Sequence, residues 1–139
     1  MKFMMIRRAD EATEAAGPGP LSVDPQVLKD MSDFHERMAE AGVLVGGGGL
    51  KPSSAGKLIR VGADTTTVVD GPYAESKELI AGYTVIECGS FEEALGWAKQ
   101  WPQSDGPVDI ELRQFYENDE VTDDPEIAAR FDEMMSDKV

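Results

Sequence analysis

The chain has 139 residues, 41% of them apolar, the size and composition of one packed domain, which argues against wholesale disorder. Its formal charge is −14, with 13 Lys and Arg against 27 Asp and Glu, and all of that excess falls in residues 61–139, so binding to a nucleic-acid duplex or an anionic membrane surface is not expected. One cysteine (Cys88) and one histidine (His35) exclude an intrachain disulfide, a thiolate cluster and a two-histidine site, so a metal-independent protein is expected.

Taken in chain order, Lys2–Arg7 reads as a mostly apolar first strand. Residues 9–23, rich in Ala and Glu and carrying Gly17-Pro18-Gly19-Pro20, read as a mobile loop. Asp24-Pro25 supplies an N-cap with proline at the first helical position. Val27, Leu28, Met31, Phe34 and Met38 then recur at helical spacing, which predicts an amphipathic helix over 25–41 closed by Gly42. Val43-Leu44-Val45 starts a second strand that runs into Gly46–Gly49. Four glycines either let backbone approach an anion or make a bulge or bend at a sheet edge, and no Lys-Ser/Thr follows to complete a phosphate loop.

Ser53-Ser54-Ala55-Gly56 is a turn, Lys57–Val61 a third strand and Thr65–Val69 the β-branched second arm of a hairpin. Asp70-Gly71-Pro72-Tyr73 breaks that arm, and Leu79–Cys88 reads as a central strand. Ser90-Phe91-Glu92-Glu93 is a capping box for a second helix, which places Phe91, Ala94, Leu95, Ala98 and Trp101 on one face and stops at Trp101-Pro102. Val108, Ile110 and Leu112 alternate with Asp109, Glu111 and Arg113, the period of a half-buried strand. Asp124-Pro125 starts a last segment in which Ile127, Phe131, Met134 and Met135 line one side of residues 126–136, either a short docking helix or a frayed tail.

The resulting order, β-α-β, a β-hairpin, β-α-β, is the ferredoxin-like α+β arrangement with two helices on one face of an antiparallel sheet. The other face has no helix of its own, and a second copy is its expected cover, giving a homodimer. Residues 1–120 form the expected domain and 121–139 an acidic tail with a short helix. From Glu117 onward the chain holds nine acids against two bases. No stretch approaches the ~18–20 apolar residues of a membrane span, and no signal-peptide pattern opens the chain, so a cytoplasmic protein is expected.

The segment Val69-Asp70-Gly71-Pro72-Tyr73-Ala74-Glu75-Ser76-Lys77-Glu78-Leu79-Ile80-Ala81-Gly82-Tyr83 resembles the YCII-related, DGPF-motif proteins. Ala41–Leu44 through Gly49-Leu50-Lys51-Pro52-Ser53-Ser54 and Ile110-Glu111-Leu112-Arg113-Gln114 fit the same pattern, so the resemblance covers roughly residues 1–120. It implies a dimeric α+β barrel of ferredoxin-like subunits with a cleft between helices and sheet. The wider superfamily looks like a collection of small cofactor-free enzymes, monooxygenases and ligand-binding proteins, and the DGPF branch resembles proteins associated with extracytoplasmic-function sigma factors. Two departures stand out. The fourth motif position is Tyr73 rather than Phe, and His35 falls one turn after Met31, where the resemblance would put a helix histidine.

Asp70, at the end of an apolar strand, reads either as a general base with a raised pKa or as an Asx-turn residue shaping its loop. His35, on the edge of the first helix's apolar stripe, and Tyr73, in the motif loop, are its expected catalytic assistants; a structural histidine is the alternative. Arg8, with Arg7 beside it, ends the first strand and is a candidate for a substrate carboxylate or for ion pairs. Lys77 and Glu78 add a cation and an acid near the motif, as binding residues or as surface ion pairs. Trp97 and Trp101 read as pocket caps or as packing, and Cys88 as buried and inert. Two functions follow. One is a homodimer that binds a small molecule near Asp70, with cofactor-free acid–base chemistry as its extension. The other is a non-catalytic accessory protein, linked to sigma-factor signalling, whose acidic face meets a basic protein partner.

Overall fold

In the computed structural model, which describes residues 1–16, 19, 22–75 and 78–135, the apolar N-terminus forms β1 (Lys2–Arg8) at the centre of a four-stranded sheet. Its neighbours are β5 (Ile80–Glu87) and β6 (Ile110–Gln114), and β2 (Leu44–Gly49) pairs with the far side of β5. The order is β2-β5-β1-β6, and every pairing is antiparallel. A second sheet of two strands, β3 (Lys57–Val61) and β4 (Thr66–Asp70), forms the hairpin. The fold is α+β.

Strand alternation decides what the helices cover. Phe3 and Met5 of β1 lie opposite Ile86 and Thr84 of β5, so these side chains share a face. On that face sit α2 (Pro25–Glu40), through Phe34 and Met38, and α3 (Phe91–Ala98), through Ala94. Phe3, Met5, Phe34, Met38 and Ile86 are fully buried, and Met31, Trp97 and Trp101 pack around them. The two tryptophans are therefore packing residues. Leu28 departs from the predicted stripe: it is exposed, whereas Val27 before it and Met31 after it are half-buried.

Local signals account for most element ends. Asp24 accepts the Gln26 N–H at 2.8 Å with Pro25 at the first helical position, and Gly42 follows α2 with φ 74°. Ser90 caps the Glu93 N–H, while the Glu93 carboxylate takes the Gly89 N–H at 3.0 Å, one residue earlier than a reciprocal box would have it. Helix α3 stops at Ala98 rather than at Trp101. The four glycines resolve in favour of the sheet-edge reading. β2 is an edge strand with a register shift between Leu44 and Gly46, and a Cβ on Gly47 would lie 2.5 Å from the Tyr83 carbonyl oxygen.

The expected loop over 9–23 is corrected at its start. Glu11–Ala15 is a short helix, α1, and the Gly17–Pro20 stretch lies largely outside the described residues. After β6 the chain forms two more helices, α4 (Asn118–Val121) and α5 (Pro125–Met135), of which only the second was expected. Among the described residues, no helix is long and apolar enough to cross a membrane.

On the helix-free face, Met4, Ile6, Tyr83 and Val85 point to one side, and Ile6 and Val85 are buried within one chain. Phe34→Ala should lower the unfolding free energy by about 3–5 kcal/mol, and Leu28→Ala should stay within about 0.5 kcal/mol, measured by urea denaturation. Equal losses would mean that α2 packs by another face.

Candidate functional site

Ser53 opens a 3-10 turn over Ser53–Ala55, just after Pro52 has ended the loop from β2. It is nearly buried, and its polar groups are spoken for: its N–H donates to Glu14 Oε2 at 3.0 Å, and its hydroxyl donates to Glu14 Oε1. Glu14 can reach it because α1 is a capped unit. The Asp10 carboxylate accepts the Thr13 N–H at 2.8 Å, and Thr13 Oγ1 accepts the Asp10 N–H at 2.9 Å. The bond from the Thr13 amide is the main reason the Asp10 carboxyl is held below the usual range.

The motif loop closes on the same turn. A Cβ on Gly71 would stand 1.6 Å from the Ser53 carbonyl oxygen, so only glycine fits there. The Gly71 N–H donates to the Gly56 carbonyl at 3.1 Å, and Tyr73 lies over Gly56, where an added Cβ would meet its ring at 3.8 Å. Between these parts is a cleft of about 170 Å³, whose polar lining comes from Glu14, Lys51, Ser53 and Tyr73. Leu50, Pro52, Leu79 and Ile80 supply its apolar walls.

Asp70 and His35 are placed elsewhere. Asp70 ends β4 directly opposite Lys57, 79% of its side chain is exposed, and its carboxylate pairs with the Lys57 ammonium. That bond holds the Asp70 carboxyl below the usual range, which overturns the raised pKa expected of a general base. The physical reason is the strand's setting: on the open face of a two-stranded sheet, water and a facing cation both favour the anion. His35 spans from α2 to β5. Its Nδ1 lies 2.8 Å from the Met31 carbonyl oxygen and its Nε2 lies 2.9 Å from Thr84 Oγ1. A carbonyl can only accept, so Nδ1 donates to Met31, while Nε2 shares a hydrogen bond with the buried Thr84 hydroxyl. Neither residue lines the Tyr73 cleft or the larger cleft at the end of β1.

That larger cleft, about 460 Å³, is where Arg8 lies. Arg8 pairs with Glu111 at 3.3 Å, and Asp109 and Asp10, the latter 3.7 Å from Arg7 Nη2, also line the space. Arg7 is structural: its Nε and Nη2 donate to both oxygens of Asp105 at 2.8 and 2.9 Å, and Trp101 Nε1 donates to the same carboxylate at 2.9 Å. Glu78 is exposed, with its amide bonded to the Glu75 carbonyl, and Lys77 lies outside the described residues. Cys88 is half-buried, and burial pushes its thiol pKa up. Of the expected site residues that the structure describes, only Tyr73 lines this cleft. Glu14, Lys51 and Ser53 are the ones not anticipated.

The pattern of the YCII-related domain matches residues 1–111, a span that includes both clefts and the whole Asp70–Tyr73 loop. The chain belongs to the YCII-related family. Over 76 residues, 55% of its length, this YCII-related chain is 40% identical to an uncharacterised protein of Rhizobium meliloti (strain 1021). That alignment spans 61% of the relative. Helices α4 and α5 lie beyond the matched residues.

The Asp70–Lys57 pair has a signed pH consequence. A carboxyl held low in the folded state adds stability above its ordinary pKa and loses that contribution as pH falls through the folded value. In a carboxyl NMR titration Asp70 should titrate below its ordinary value of about 3.9, and Lys57→Gln should move it back up. An unmoved titration in Lys57→Gln would show that the lysine is not the cause.

Proposed function

We propose that this YCII-related protein is a small-molecule-binding homodimer whose ligand lies in the cleft under the Tyr73 loop. The observation that carries the reading is the composition of that cleft. A lysine ammonium and a phenol stand beside Leu50, Leu79 and Ile80, over a floor made by the Ser53–Glu14 pair. Such a lining suits a small organic acid with an apolar body. At about 170 Å³ the space is below the roughly 300 Å³ of a drug-sized pocket, which limits the ligand to about one ring.

Glu14 and Tyr73 are the acid–base groups that line this cleft, and Asp70 and His35 do not line it. The subunit is read as ferredoxin-like and of the DGPF type, assembling as a dimeric α+β barrel. The order β2-β5-β1-β6, antiparallel throughout, with α2 and α3 on one face, supports the subunit reading.

Benzoate serves as the probe, followed by amide shifts of the full chain. Shifts should gather at Lys51, Ser53 and Gly56; Lys51→Ala should weaken binding at least fivefold, and Asp70→Asn should leave it within twofold. Shifts gathering at Arg8 and Asp109, or loss of binding in Asp70→Asn, would contradict the reading.

A further inference from the structure

Ser53 turns two donors onto one carboxylate. Its N–H and its hydroxyl each donate to a different oxygen of Glu14, a two-point grip suited to any carboxylic acid. The grip does not depend on its occupant. Ala55 donates to the Pro52 carbonyl at 2.9 Å, and Gly56 donates to the Ser53 carbonyl at 2.9 Å. Gly71 packs so closely on that carbonyl that a Cβ would not fit, so backbone holds the turn from both sides. Lys51 and Tyr73 line the same cleft.

The occupant is lightly held. Helix α1 buries none of its five residues, and among the described residues its only hydrogen bonds to a segment beyond Asp10 are those of Glu14. The chain just before it is fixed, because the Ala9 N–H donates to the Leu79 carbonyl at 2.9 Å. Losing the Glu14 contact would therefore free α1 and leave its base in place. Charge makes the present occupant a poor companion for an organic acid. Two carboxylates sharing one small cleft repel, and here they would also compete for the same two donors.

We infer that Glu14 is an internal stand-in for the ligand: the N–H and hydroxyl of Ser53 are the carboxylate subsite of the Tyr73 cleft, and an incoming organic acid displaces Glu14 and releases α1. This rests on the ligand class proposed above and names the atoms that receive it. The ligand takes over both donors, and its apolar body lies against Leu50, Leu79 and Ile80. The tethered carboxylate lowers the apparent affinity, because only the open fraction of molecules can take a ligand. Once released, a helix of five residues does not hold its own hydrogen bonds.

The test titrates the full chain with benzoate. Glu14→Ala, which removes no buried side chain, should bind it about fivefold more tightly or better, and Glu14→Gln, which keeps one acceptor, about twofold more tightly. Glu11→Ala takes the same charge from the same helix without touching Ser53 and should stay within about 1.5-fold. In the wild type, saturating benzoate should speed hydrogen exchange at the Glu14 amide, which donates to the Asp10 carbonyl at 3.1 Å. Benzoate shifts at Lys51 and Ser53 with no tightening in either Glu14 variant overturn the displacement and leave the ligand class standing. Equal tightening in Glu11→Ala also overturns it, since the effect is then one of net charge. Unchanged or slowed exchange at the Glu14 amide overturns it as well, because α1 then stays on the turn. No benzoate binding in either the wild type or Glu14→Ala overturns both readings.

Discussion

Ser53 is the point on which the Tyr73 cleft depends. Its amide and hydroxyl hold Glu14 of α1, and its carbonyl accepts the Gly56 N–H at 2.9 Å inside the turn. The same carbonyl sets how closely Gly71 can approach. Three segments far apart in the chain thus meet at one nearly buried residue. A buried hydroxyl without a partner is costly, so the carboxylate of Glu14 both satisfies Ser53 and fixes where α1 lies.

This arrangement changes what the Asp-Gly-Pro-Tyr loop does. Glycine gives the loop its close approach to Ser53, and Tyr73 supplies a cleft wall, while Asp70 faces outward to Lys57. The loop is a clasp between the hairpin and the turn after β2. His35 plays a comparable part on the other side of the subunit, tying α2 to Thr84 of the central strand β5. Asp70 thus pairs on the exposed hairpin, and His35 joins a helix to the sheet.

Much of the fold was legible because it follows from local periodicity. The α2 stripe, the alternation in β6 and the β-branched hairpin each carry a repeat that burial imposes. Helix α1 carries no such repeat, since five Ala- and Glu-rich residues bury nothing; its one signal was the Asp10…Thr13 cap. The Glu14–Ser53 contact spans 39 residues and had no local trace. Asp70 is a different case. Counting back through the hairpin turn places it opposite Lys57, which already argues for a lowered pKa. The apolar side of α5 was legible, and Ile127, Phe131 and Met134 are exposed along it.

The central claim is that α1 and the turn at Ser53 act as one unit through the Glu14–Ser53 pair. A double-mutant cycle with Glu14→Ala and Ser53→Ala, read by urea unfolding of the full chain, tests it most directly. A coupling of about 1 kcal/mol or more is expected for two groups joined by these hydrogen bonds. Losses that add to within about 0.3 kcal/mol would show that the two residues act independently and would contradict the account.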